Sequence, residues 1–241
     1  MGKALEVVGL SKRYPGFTLD RASFGVEQGS IAGFIGRNGA GKTTTLKALM
    51  NLAHPDAGEV RFFGLDLCEH EAQIKQRVGF AAGSAAYYPK ARIGDLVAVT
   101  RTFYRTWDQA AWEHYRDAFK LVEGKRQQEL SQGMKVKLNI ALALSHNAEM
   151  LVLDEPTSGL DPVSRAELVD VFAQLRDKGV SILFSTHITS DLEACADAIV
   201  YIKEGRIEDA CPIEAFMQKH ARLGATLQDV MVALEKDEVV L

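Results

Sequence analysis

Gly36-Arg37-Asn38-Gly39-Ala40-Gly41-Lys42-Thr43 fits the pattern G-x-x-x-x-G-K-[ST]. The spacing has a physical reading. Glycines let backbone N–H groups turn inward around phosphate oxygens, and a helix starting at the lysine adds partial positive charge. Lys42 supplies a mobile cation for β and γ phosphates, and the Thr43 hydroxyl offers a ligand to a divalent ion. At about 7% glycine, a chance match in a chain of this length arises about once in a hundred. Further on, the run Leu151-Val152-Leu153-Asp154-Glu155 ends an apolar stretch in two acids. Alone, such a run is an ordinary strand end. Beside a phosphate loop, Asp154 would orient Mg²⁺, usually through water, and Glu155 would polarise or deprotonate an attacking water.

These residues need a scaffold that brings loop ends together, and three stretches provide the grammar for it. Ser30–Ile35, Met150–Leu153 and Val180–Ser185 read as buried strands. Each leads through a loop into a helix, near 42–52, 162–178 and 189–196. That alternation predicts an α/β fold with a mostly parallel sheet, whose ligands bind at the carboxyl ends of its strands. Asp161, Pro162 and Gly179 punctuate the second helix at both ends. The first thirty residues and 59–63 alternate apolar and polar residues, as half-buried antiparallel strands do. Residues 199–207, with Lys203-Glu204-Gly205 as the turn, read as a hairpin. No proline interrupts 93–146, which reads as a helical lobe packed around Trp107 and Trp112. Residues 227–235 read as a terminal amphipathic helix.

Composition limits the function classes. The chain has 241 residues, 28 Lys plus Arg against 32 Asp plus Glu, a formal charge of −4, and 47% apolar residues. It can bury a self-sufficient core, and the balance gives no general attraction for nucleic acid or acidic lipid. Three scattered cysteines speak against a disulfide framework or a structural zinc site. No apolar run approaches the ~20 residues that cross a bilayer, so a membrane role would need a partner.

At Leu130-Ser131-Gln132-Gly133-Met134, taken with the two motifs above, the sequence resembles the nucleotide-binding subunits of ABC transporters over about residues 3–215. The resemblance implies that the segment Ser131, Gln132, Gly133 and Met134 clamps the γ-phosphate of ATP held by a partner subunit, although Gln132 replaces the usual Gly and Met134 the usual Gln. Without the family, Ser131 reads as a plain helix N-cap. The resemblance further assigns Tyr14 to stacking on adenine, the Ser158-Gly159-Leu160-Asp161 loop to the dimer interface through Asp161, and His187 to the γ-phosphate and the attacking water. ATP would be held by Tyr14, Gly36, Arg37, Asn38, Gly39, Ala40, Gly41, Lys42, Thr43 and Thr44, and Mg²⁺ by Thr43 and Asp154. Glu155 and His187 would be catalytic. One residue is missing: where the family usually has a Gln that contacts Mg²⁺ and signals to the membrane subunit, the sequence has Gly83. Ser84 or a water would have to substitute, or metal use and coupling differ.

The expected architecture is therefore an ATPase domain over 1–215 with a P-loop NTPase core, an antiparallel β subdomain and a helical lobe at about 90–146. A helical tail would follow at 216–241. The expected function is ATP hydrolysis in a head-to-tail homodimer or a heterodimer with a paralogue, driving transport, most like bacterial exporters, through separate transmembrane permease subunits. The chain would lie in the cytoplasm, peripheral on the inner face of the membrane. The alternative is a soluble ABC ATPase acting on nucleic acid or ribosomes. The short span between Lys42 and Ser131 leaves no room for the long coiled coils of chromosome-maintenance members. A GTPase or small-molecule kinase lacks support, since no N-K-x-D segment is present.

Overall fold

A computed structural model describes residues 2–82 and 88–236, so Gly83 and Ser84 lie outside the described residues. Two sheets organise the chain. In the first, β2 (Phe17–Glu27), β1 (Lys3–Tyr14), β4 (Ala57–Phe62) and the short β5 (Leu65–Asp66) pair antiparallel in that order. Their alternating burial matches the period-2 pattern of the sequence. The second sheet runs β10 (Arg206–Pro212), β9 (Ala198–Lys203), β3 (Ile31–Ile35), β8 (Ser181–Thr186), β7 (Met150–Asp154) and β6 (Val78–Ala82). All its pairings are parallel except the β9–β10 hairpin. Every residue of β3, β7 and β8 is buried, as expected of strands covered on both faces. The hairpin closes through Glu204 and Gly205 at φ 48° and 79°, the left-handed pair that a tight two-residue turn demands.

The helices follow the sequence signals with two differences. Helix α1 spans Lys42–Leu49 and ends earlier than its apolar pattern suggests. Asn51 adopts φ 54° just beyond it, a left-handed conformation that asparagine tolerates and that stops a helix. Helix α2 (Leu67–Arg77) buries only Leu67 and Ile74, so it carries almost no apolar periodicity. Its available signal is the cap: Asp66 Oδ1 accepts from the N–H groups of Cys68 at 2.8 Å and Glu69 at 3.3 Å. Helix α6 (Pro162–Asp177) starts as expected, with Asp161 Oδ1 accepting from Val163 N at 3.1 Å and Ser164 N at 3.0 Å. Helices α7 (Thr189–Cys195), α8 (Ile213–Lys219) and α9 (Leu227–Glu235) complete the carboxyl-terminal third. Leu227 and Val230 of α9 are fully buried in the cluster that also holds Leu192 and Phe216.

Between β6 and β7 lie α3 (Ile93–Phe103), α4 (Gln109–Ala118) and α5 (Gln132–Ser145). They pack around Ile93, Val97, Trp112, Leu121, Leu130 and Leu138. Trp112 is fully buried and donates through Nε1 to Glu123 Oε1 at 2.9 Å, the partner that a buried indole requires. Helix α5 belongs to two cores, because Val136, Ile140 and Leu144 point into the main cluster. At its end the His146 ring stacks on Tyr104 at 3.7 Å, its Nδ1 lies 3.2 Å from Gln76 O, and its carbonyl accepts from Thr106 Oγ1 at 2.7 Å. This one residue ties α2, the chain after α3 and the end of α5.

Burial pushes the His146 imidazole down from 6.5 to about 4. The folded state resists its protonation, so the unfolded chain binds more protons between those two values. The contribution of His146 to stability is therefore full above about pH 6.5 and falls as pH is lowered toward 4. The expected loss between pH 7.5 and 5 is about 2 kcal/mol, and urea denaturation at the two pH values measures it. His146→Phe keeps a ring against Tyr104 and should lack that component. An equal loss in both proteins would contradict the assignment.

Candidate active site

The carboxyl ends of β3, β7 and β8 converge on one cleft of about 820 Å³. From β3 the loop turns into α1, and its glycines are required by geometry. A side chain on Gly36 would meet Ile202 O at 2.2 Å, and Gly41 (φ 116°) faces Phe17 Cζ at 2.8 Å from its would-be Cβ. Arg37, Asn38, Gly39, Gly41, Lys42, Thr43 and Thr44 line the cleft. Gly36 and Ala40 act behind it: Gly36 O accepts from Lys42 Nζ at 2.7 Å, and Ala40 O accepts from Gly205 N at 2.9 Å. Lys42 is 6% exposed, and its Nζ also lies 3.4 Å from both Arg37 O and Glu155 Oε1. An ammonium held among three oxygen acceptors is placed to exchange them for phosphate oxygens.

The sheet register supplies the acids. Asp154 of β7 lies opposite Ser185 of β8. Its Oδ1 accepts from Ser185 Oγ at 2.6 Å and its Oδ2 from Thr43 Oγ1 at 2.9 Å. Glu155 follows at φ 49°, a left-handed conformation that costs a non-glycine residue about 1 kcal/mol. With Lys42 on Oε1, its Oε2 lies 2.8 Å from His187 Nδ1. An ionised carboxylate only accepts, so Nδ1 carries the hydrogen of that bond. Glu155 thus sits between the loop lysine and the histidine after β8, three residues brought together from sequence positions far apart. Burial pushes the nearby Asp191 carboxyl up, against the Thr157 hydroxyl, which favours its ionised form.

Tyr14, the last residue of β1, also lines the cleft; it is 43% exposed, with Lys12 Nζ 5.7 Å from its ring centroid. Phe17 and Lys47 line it as well. The sequence reading missed both; their signal was proximity to Tyr14 and a position one helical turn beyond Thr43. Thr43 and Asp154 form a pair of hard oxygen donors, the chemistry that suits Mg²⁺. No group of three or more His, Cys, Asp or Glu that could hold a metal occurs among the described residues, so an ion here would take its remaining ligands from phosphate and water.

Ser131, Gln132, Gly133 and Met134 do not line this cleft. Ser131 caps α5, its Oγ accepting from Met134 N at 3.3 Å, and remains exposed. A side chain on Gly133 would meet Leu160 at 3.5 Å, an ordinary contact, so packing within the chain does not require glycine there. Lys137 is paired with Glu167 at 2.7 Å. Asp161 likewise lies outside the cleft lining, where the Ser164 hydroxyl and backbone N–H groups hold its carboxyl below the usual range.

Residues 19–158 match the sequence pattern of the family described as ABC transporter. The bacitracin transport ATP-binding protein BcrA of Bacillus licheniformis is 30% identical over 226 residues, 92% of this chain and 74% of that protein. The Nod factor export ATP-binding protein I of Burkholderia orbicola is 36% identical over 203 residues, 82% and 67% of the two chains. A solved ATP-binding subunit of an ABC transporter superposes with a TM-score of 0.86 at 27% identity, covering 97% of this chain and all of that one. The chain belongs to the ABC transporter family, as an ATP-binding and ATP-hydrolysing subunit.

Proposed function

We propose that two copies of this chain, or this chain and a paralogue, bind two ATP molecules head to tail and that their hydrolysis drives export through separate transmembrane permease subunits. The observation that carries the reading is the separation within one chain of the cleft holding Lys42, Glu155 and His187 from Ser131–Met134. Those four residues have an exposed hydroxyl and a glycine without an internal packing need, features that suit a phosphate held by another chain. Asp161 would meet the partner across the same interface.

In each site Tyr14 would stack on the base, residues 36–44 would wrap the phosphates, and Lys42 would neutralise their β and γ oxygens. Thr43 and Asp154 would hold Mg²⁺, which when bound offsets phosphate charge. Glu155 would take the proton of the attacking water while His187 fixes its carboxylate and contacts the γ-phosphate. Residues 1–215, with the lobe at about 90–146, would form the ATPase domain and 216–241 a helical tail. Export is supported by relatives whose names state bacitracin transport and Nod factor export.

No helix among the described residues is long and apolar enough to cross a membrane. The chain would therefore be held at the cytoplasmic face by its permease. Extracted from membranes in mild detergent, a tagged chain is expected to bring down a polytopic membrane protein. Recovery of the whole chain from the aqueous fraction, with ATPase activity indifferent to added membranes, would contradict this.

A further inference from the structure

We propose that Ser185 is a positioning residue for hydrolysis, whose single hydroxyl sets both the Asp154 carboxylate and the main chain of Glu155. The inference rests on the roles given above to those two acids. Ser185 is fully buried near the end of β8, after the apolar run Ile182–Phe184. A hydroxyl at the centre of such a sheet is unfavourable unless it is bonded, and here it both donates and accepts. Its hydrogen goes to Asp154 Oδ1 at 2.6 Å, and its oxygen accepts the Glu155 N–H at 2.9 Å. The carbonyl of the same residue lies 3.2 Å from that N–H.

The consequence is orientational. Thr43 Oγ1 holds the other Asp154 oxygen at 2.9 Å, so hydroxyls on two different elements fix the plane of the carboxylate. Glu155 departs from β7 at φ 49°, a turn that aims its side chain at Lys42 and His187. Without the Ser185 hydroxyl, the Glu155 N–H keeps only the longer 3.2 Å bond to the Ser185 carbonyl, and the peptide can relax toward the extended conformation of the strand and carry the carboxylate away from both. The neighbouring hydroxyl cannot replace it, because successive side chains of β8 point to opposite faces of the sheet; Thr186 Oγ1 accepts from Ile188 N at 3.0 Å. A misplacement of about 1 Å at a reacting group can lower a rate about a hundredfold. Ser185 does not line the cleft, so ATP affinity should be spared.

The test uses the full-length chain with Ser185→Ala, Ser185→Cys and Ser185→Thr. Steady-state ATPase kinetics are measured beside the equilibrium affinity for a non-hydrolysable ATP analogue, and melting temperature reports folding. For the Ala variant, kcat is expected to fall at least about tenfold while KM and analogue affinity stay within about threefold. The Cys variant, with a weak hydrogen-bond donor in place of the hydroxyl, should follow Ala, and Thr, which retains the hydroxyl, should recover most of the rate. If Ser185→Ala does not fold, Ser185→Cys is judged by the same criteria. A folded Ala or Cys variant with kcat within about twofold of the unaltered protein would overturn the proposal, as would a fall in analogue affinity matching the fall in kcat. Glu155→Gln run alongside separates the two failures: retained turnover there refutes the reading of Glu155, whereas lost turnover there with active Ser185 variants refutes only this inference.

Discussion

Replacing Glu155 by Gln is expected to lower ATP turnover at least about a hundredfold while leaving ATP affinity nearly unchanged. Loss of a general base removes a factor of about 10² to 10⁴, or about 3–5 kcal/mol of barrier stabilisation. The substitution keeps the shape of the side chain and one oxygen that can still accept from His187 Nδ1, now 2.8 Å away. It removes the charge facing Lys42 at 3.4 Å, so phosphate binding should not suffer. A variant that binds but does not cleave should accumulate as the ATP-bound dimer, seen as an earlier elution in size-exclusion chromatography with ATP and Mg²⁺. Turnover near that of the unaltered chain would remove Glu155 from the chemistry.

Lys42→Ala should fail one step earlier. The ammonium is 6% exposed and held by Gly36 O and Arg37 O inside the loop. With phosphate bound it would make charge-assisted bonds worth roughly 1.5–3 kcal/mol each. Losing two of them weakens ATP binding about a hundredfold or more. Isothermal titration with ATP measures this, and the contrast with Glu155→Gln matters most: one variant keeps affinity and loses rate, the other loses affinity itself. Because the lysine also satisfies loop carbonyls, its removal should lower the melting temperature modestly. Unchanged ATP affinity in a folded Lys42→Ala protein would contradict the loop geometry.

What the sequence made legible was local. Residues 36–43 combine a motif with a strand before and a helix after, and every part of that signal lies within about twenty residues. Asp161, Pro162 and Gly179 announced α6 because capping chemistry is short-ranged. Helix α2 escaped because it buries only two side chains, leaving no periodicity to read. The pairing of Glu155 with His187 and the clamp by Ser185 depend on strand register between β7 and β8. Register is a tertiary outcome, and only the family resemblance pointed to His187 beforehand. The pairing of Lys137 with Glu167 is likewise tertiary, because it depends on the packing of α5 on α6.

The central claim is that each ATP is cleaved between two chains. It is tested most directly by mixing two defective variants. Lys42→Ala disables the phosphate loop, and Ser131→Arg fills the surface that would face the partner's phosphate, so each alone should be inactive. In an equal mixture, half of the dimers are mixed, and each of these contains one site with both halves intact. ATPase activity of about a quarter of the unaltered protein should then reappear under the symmetry of a two-chain assembly. No recovery in a mixture shown to exchange subunits, or full activity of Ser131→Arg by itself, would contradict a shared site.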